Sequence, residues 1–112
     1  MKARFEVEFL DEAIEFLSGL NEKDRDKIIY NIDKSRYGND ADLLKKLNQE
    51  IWEFRTIYNG KCYRLFAFWY NSQHKNKLII ATHGILKKSN KTPKKEIEKA
   101  ESIRRNFIES KK

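Results

Sequence analysis

Cysteine, proline and methionine each occur once in this 112-residue chain, histidine twice and glycine four times. With Cys62 alone no intrachain disulfide can form, and a reducing compartment is the default setting. So little glycine and proline leaves no interdomain linker, and there is no internal repeat and no low-complexity tract beyond enrichment in lysine. No apolar run approaches the roughly 20 residues of a membrane-spanning helix. The opening MKARFEVEF lacks an apolar signal-peptide core, so the expectation is a cytoplasmic protein with no membrane partner. His74 and His83 have no companion ligands at metal-binding spacing, which predicts chemistry with neither metal nor cofactor.

What is present is a foldable core and a divided charge. Hydrophobic residues make up 39% and aromatics 12%, enough for a single domain over residues 1–112 despite 37% charged residues. The net charge of +7 is uneven: residues 1–50 carry 9 Lys/Arg against 12 Asp/Glu, a net −3, and residues 51–112 carry 15 against 5, a net +10. A basic half of this kind fits nucleic acid or an acidic protein. No strongly apolar amphipathic end accompanies the lysines, which argues against a membrane surface.

Periodicity predicts an α+β chain in the order β-α-α-β-β-β-α. Residues 3–8 read as a strand, and Leu10, Ala13, Ile14 and Leu17 recur at helical spacing up to Ser18-Gly19. Asn21 is placed to cap a second helix with Ile28, Ile29 and Ile32 as its apolar stripe, ending near Tyr37-Gly38-Asn39. The short link makes these two helices antiparallel. Residues 40–48 read as a turn or short helix, residues 51–58 and 61–70 as strands, 71–77 as a polar turn, and 77–85 as a fourth strand. Thr92-Pro93 resembles an N-cap and first helical proline, opening a last helix with Ile97, Ala100, Ile103 and Phe107 on its apolar face and an end near Glu109.

The central hairpin carries the strongest functional signal. Asn59-Gly60 is the dipeptide of a two-residue type I′ turn, and that turn fixes the register: Tyr58 opposite Lys61, Ile57 opposite Cys62, Thr56 opposite Tyr63, and Arg55 opposite Arg64. Like charges directly opposed cost roughly 0.2–1 kcal/mol, which an anion lying over them would offset. The plainer alternative pairs each arginine with a carboxylate such as Glu53. Alternation puts Trp52, Phe54, Tyr63 and Leu65 on a face beneath the helices, and Glu53, Arg55, Cys62, Arg64, Phe66 and Phe68 on the other. Arginines mixed with aromatics suit a phosphate clamp with stacking platforms for RNA bases.

Five lysines fall between Lys87 and Lys95. Lys94 and Lys95 lie in the first turn of the last helix, where cations are disfavoured by roughly 0.3–1 kcal/mol each unless an anion such as RNA backbone is bound. With Lys91 they are expected to hold RNA, and Lys45 and Lys46, just before the hairpin, to extend the basic rim. Tyr58 and Tyr70, near strand ends, are candidates to stack on a base. Lys87 and Lys88 follow the last strand closest to the arginines and are candidates to move a proton. His83 is a further candidate acid or base, since an unperturbed imidazole titrates near pH 6.5; the simpler role for it is structural.

The segments LLKKLNQEIWEFRTIYNGKCYRLFAFWY and HGILKKSNKTPKKEIEKA, covering residues 43–100, are similar to the phage-derived HigB-type toxins of the RelE/ParE superfamily. Those proteins share an L-W-E-L-R strand, a Y-R strand and a K-K-x-x-K-T-P segment opening a helix. Here Phe54 stands for the more usual leucine and Ser89-Asn90 fills the variable pair. The resemblance implies a RelE-like fold and a ribosome-associated, metal-independent endoribonuclease that cuts mRNA. Arg55 and Arg64 would bind the phosphate while the 2′-hydroxyl attacks it. It further implies a cognate helix-turn-helix, HigA-like antitoxin, with operator DNA reached only through the complex. ParE relatives inhibit DNA gyrase on the same scaffold, so gyrase inhibition, or nucleic-acid binding without catalysis, stands as the alternative.

Overall fold

The computed structural model describes residues 2–38, 40–70, 77–87 and 91–112. Its elements run β1 (Glu6–Phe9), α1 (Asp11–Ser18), α2 (Glu22–Ser35), β2 (Leu44–Lys46), β3 (Trp52–Tyr58), β4 (Lys61–Tyr70), β5 (Leu78–Lys87) and α3 (Lys94–Ser110). They make an α+β fold around one five-stranded sheet ordered β1-β5-β4-β3-β2. β1 runs parallel to β5 and the other neighbours are antiparallel.

Local signals account for the elements that were foreseen. Asn21 caps α2, its side-chain oxygen accepting the Asp24 N–H at 2.9 Å. Asn59 and Gly60 both have positive φ, 54° and 73°, as a type I′ turn requires, and the β3–β4 register is the one the turn dictates. Residues 44–46, read from sequence as turn or short helix, are instead a three-residue edge strand. Leucine and lysine favour helix locally. The ladder to β3 and burial of Leu44 against Phe54 override that preference.

The sheet is covered on both faces. Phe54, Tyr63, Leu65 and Ile79 pack under α1 and α2 with Leu17, Ile28 and Ile32. Phe66, Phe68 and Ile80 pack under α3, against Ala100, Ile97 and Phe107. The expectation that Phe66 and Phe68 offer stacking platforms is therefore corrected: both are fully buried. Covering a phenylalanine contributes about 1.5–3 kcal/mol, so the apolar stripe of α3 closes over the rings instead of leaving them to solvent.

Two irregularities in β5 aim its side chains. The β4–β5 register slips between Phe66 and Ala67: Ala67 faces Ala81 while Phe66 faces His83, leaving Thr82 as the extra residue of a bulge. A regular strand counted from Ala81 would point His83 at α1; the bulge turns it under α3. One step on, a Cβ on Gly84 would lie 2.3 Å from the Phe16 ring, so only glycine lets α1 rest on this strand.

Candidate nucleic-acid interface

The two hairpin arginines face each other as expected, but their surroundings differ. Arg64 is 1% exposed. Its Nη1 donates to both carboxylate oxygens of Glu53, at 2.5 and 2.9 Å, and to the Thr92 hydroxyl at 2.9 Å. Thr92 in turn donates to Glu53 at 3.0 Å, using its one donor and one of its two acceptor lone pairs. Arg64 thus lies inside the protein and not on an open face, and the carboxylate alternative describes it. Thr92 does not cap α3; Pro93 holds that position, because the threonine side chain is engaged by the ion pair.

Arg55 has no such counterpart. It is half-buried, and its Nε is enclosed without a hydrogen-bond partner among the described residues. The one glutamate on this stretch of the face is taken by Arg64, and Arg55 has no ion-pair partner among the described residues.

Basic residues share that sheet face or lie where α3 begins. Lys87, opposite Cys62, points to the same sheet face as the arginines and is partly exposed. Lys45, opposite Glu53, is exposed on that face too. Lys91, Lys94 and Lys95 are exposed at the approach to α3 and in its first turn. Lys88 lies outside the described residues, as does His74.

Other expected residues lie elsewhere. Lys46 pairs with Trp52 and shares its face, across the sheet from Arg55. Tyr58 alternates onto that opposite face as well, where it lines a groove with Asn21, Glu22 and Asp24. Tyr70 lies six residues from Arg64 along β4, roughly 20 Å at a strand's rise, and packs edge-on against Phe107 with ring centroids 5.1 Å apart.

His83 is in mid-strand, not at a strand end, and is 3% exposed. Its ring stacks on Phe66 at 4.8 Å, Nδ1 meets the Thr82 hydroxyl at 3.0 Å and Nε2 meets Glu96 at 3.1 Å. Burial pushes its pKa down, only partly opposed by Glu96. Both ring nitrogens are engaged, Nδ1 within β5 and Nε2 with Glu96, which ties α3 to the sheet.

Sequence reasoning passed over Asp24, a carboxylate 1% exposed. Tyr63 donates its phenolic proton to it, and Lys61 Nζ approaches within 3.3 Å. The Tyr63 hydrogen bond, then Lys61, hold the Asp24 pKa below the usual carboxylate value against the opposing effect of burial. Burial, then the same hydrogen bond, push the Tyr63 phenol up. This cluster ties the start of α2 to the hairpin and so fixes where Arg55 stands. A charged residue three positions after an N-cap reads as ordinary capping chemistry, which concealed it.

Comparison with known proteins bears on the whole arrangement. No curated protein matches the chain. The model of a family described as phage-derived protein Gp49-like (DUF891), a RelE/ParE-like toxin family, matches residues 15–105. That span holds α2, the hairpin with Arg55 and the first two thirds of α3, and no helix among the described residues is long and apolar enough to cross a membrane. On this match the chain belongs to the phage-derived Gp49-like family of RelE/ParE-like toxins.

Proposed function

We propose that the protein is the toxin of a type II toxin–antitoxin pair and inhibits translation as a ribosome-dependent mRNA endoribonuclease of HigB type. The observation that carries this reading is Arg55: a half-buried guanidinium with no acidic partner among the described residues, facing an arginine already neutralised by Glu53, on the sheet face that also carries Lys45 and Lys87, with Lys91, Lys94 and Lys95 exposed where α3 begins. Such a site attracts a phosphodiester and favours the extra negative charge of a pentacoordinate phosphorus.

In the proposed reaction the mRNA 2′-oxygen attacks the adjacent phosphorus, the bond from phosphorus to the 5′-oxygen breaks, and a 2′,3′-cyclic phosphate remains. The proton lost by the 2′-hydroxyl is balanced by one gained at the leaving 5′-oxygen. Arg55 holds the phosphate, Arg64, paired with Glu53 and Thr92, positions the strand opposite Arg55, and Lys87 or Lys88 moves the proton. Orientation on the ribosome supplies the remaining acceleration. A helix-turn-helix antitoxin of HigA type would silence the protein, and operator DNA would be reached only through that complex.

The test is single-turnover cleavage of mRNA on purified ribosomes. Wild type should yield fragments ending in 2′,3′-cyclic phosphate, and Arg55→Ala should slow cleavage by about 10²–10³. A folded wild-type protein that leaves mRNA intact while blocking gyrase supercoiling would overturn the proposal.

A further inference from the structure

β1 ends the sheet; Arg36 reaches from α2 to the Phe5 carbonyl at 2.8 Å and to Glu6 at 3.0 Å beside its start, and beyond that point no strand among the described residues covers its outer side. The Glu6 and Leu10 amides donate to Lys77 and Ala81 across the parallel ladder with β5, at 2.9 and 3.0 Å. Alternation then turns the backbone groups of Val7 and Phe9 away from the sheet, and among the described residues no backbone group pairs with them. An open edge of this kind is a template for another strand.

The ground on either side of the edge differs in chemistry. On the α2 side, a groove of about 180 Å³ is lined by Val7, Phe9, Ile29 and Ile32, with Glu6, Asp33 and Arg36 at its rim; Ile29 is 42% exposed. On the α3 side, a groove of about 390 Å³ is lined by Glu8, Asp11, Glu12, Leu10, Thr82 and Ile103. Glu12 is met there by Lys99 at 2.9 Å, while Glu8 and Asp11 have no ion-pair partner among the described residues.

We propose that the outer edge of β1 accepts an extended segment of another protein in which apolar residues alternate with lysine or arginine. The backbone of the segment would pair with Val7 and Phe9, every second side chain would enter the Ile29–Ile32 groove, and the cations between them would meet Glu8 and Asp11. A second copy of this chain is a poor occupant. An antiparallel pairing centred on Glu8 sets that residue against its own copy, and one centred on Val7 sets Glu8 against Glu6, which Arg36 already holds at 3.0 Å. The first register opposes like charges and neither brings a cation to Asp11, whereas a basic strand turns Glu8 and Asp11 into contacts. The proposal is independent of any nuclease activity, since the β1 edge and Arg55 lie in different parts of the sheet.

The probe is a capped hexapeptide of alternating lysine and valine, titrated into the full chain, with amide hydrogen exchange followed by NMR. Binding should slow exchange at Val7 and Phe9 by tenfold or more and leave the already bonded Glu8 amide unchanged. Glu8→Lys and Asp11→Lys should each weaken binding about two- to fivefold. Val7→Pro, which removes the outward donor and trims a side chain that lines the groove, should abolish it. No change at Val7 and Phe9 with millimolar peptide overturns the proposal. So does equal protection by a glutamate–valine peptide, or full affinity in the Glu8 and Asp11 variants, whose exposed positions leave folding intact.

Discussion

Arg55 and Arg64 carry the same charge across the same hairpin, yet substituting them should do opposite things. Truncating Arg64 strands a buried Glu53 carboxylate and breaks its bridge to Thr92, and losing one partner of a buried pair costs about 3–5 kcal/mol. Arg64→Ala should therefore fall in denaturant midpoint by that amount or fail to fold. Arg55→Ala removes a like charge and leaves no acid unpaired among the described residues, so its stability should stay within about 1 kcal/mol of wild type, on the favourable side. Equal destabilisation of the two variants in urea would contradict the asymmetry. A second residue-level effect is acid sensitivity. His83 has a folded pKa below its ordinary 6.5, so as pH falls through that value the unfolded chain takes up a proton the folded one refuses. Asp24, also lowered from 3.8, gives stability that is complete above that value and lost below it. Stability should thus drop in two stages on acidification, and His83→Gln should flatten only the stage beginning near pH 6.5 in a series of denaturant melts.

At the level of elements, the hairpin was legible because two local rules agree on it: the Asn59-Gly60 turn sets the register, and period-2 alternation sets the faces. The opposed arginine pair followed from those rules. β2 was not legible, since three residues carry no period and their partner strand is needed to hold them extended. The roof over Phe66 and Phe68 was missed for a related reason: alternation says that a face exists, not what covers it, and the stripe Ile97, Ala100, Phe107 fits either layer. The Thr82 bulge, which turns His83 from α1 to α3, leaves no local mark at all. Gly84 is the element-scale counterpart, because α1 depends on a missing Cβ. Gly84→Ala should force the Phe16 ring aside at a cost of about 1–3 kcal/mol, measurable as a lower denaturant midpoint. An unchanged midpoint would mean that α1 re-seats freely on β5.

Across the whole molecule the charge imbalance follows the architecture. The −3 of residues 1–50 falls on β1, α1, α2 and β2, and the +10 of residues 51–112 on the hairpin, β5 and α3. The acidic grooves beside β1 and the basic hairpin that carries Arg55 thus belong to different ends of one sheet. A polyanion would be drawn to the second and repelled by the first, so the field orients the protein before any contact forms. Lys94 and Lys95 test this at long range. They sit exposed in the first turn of α3, where the helix end disfavours them, and neither lies in the buried cluster that fixes Arg64. Replacing both with glutamine should leave the fold intact and relieve the helix end slightly. If they contact RNA backbone, each should remove about 0.7–0.9 from the logarithmic salt slope of ribosome binding. Cleavage by ribosome-bound protein should continue near its wild-type rate, because the group that holds the reacting phosphate, Arg55, is untouched. Cosedimentation at several salt concentrations, paired with single-turnover cleavage, separates these effects. An unchanged slope with slowed cleavage would move the two lysines from steering into the chemistry.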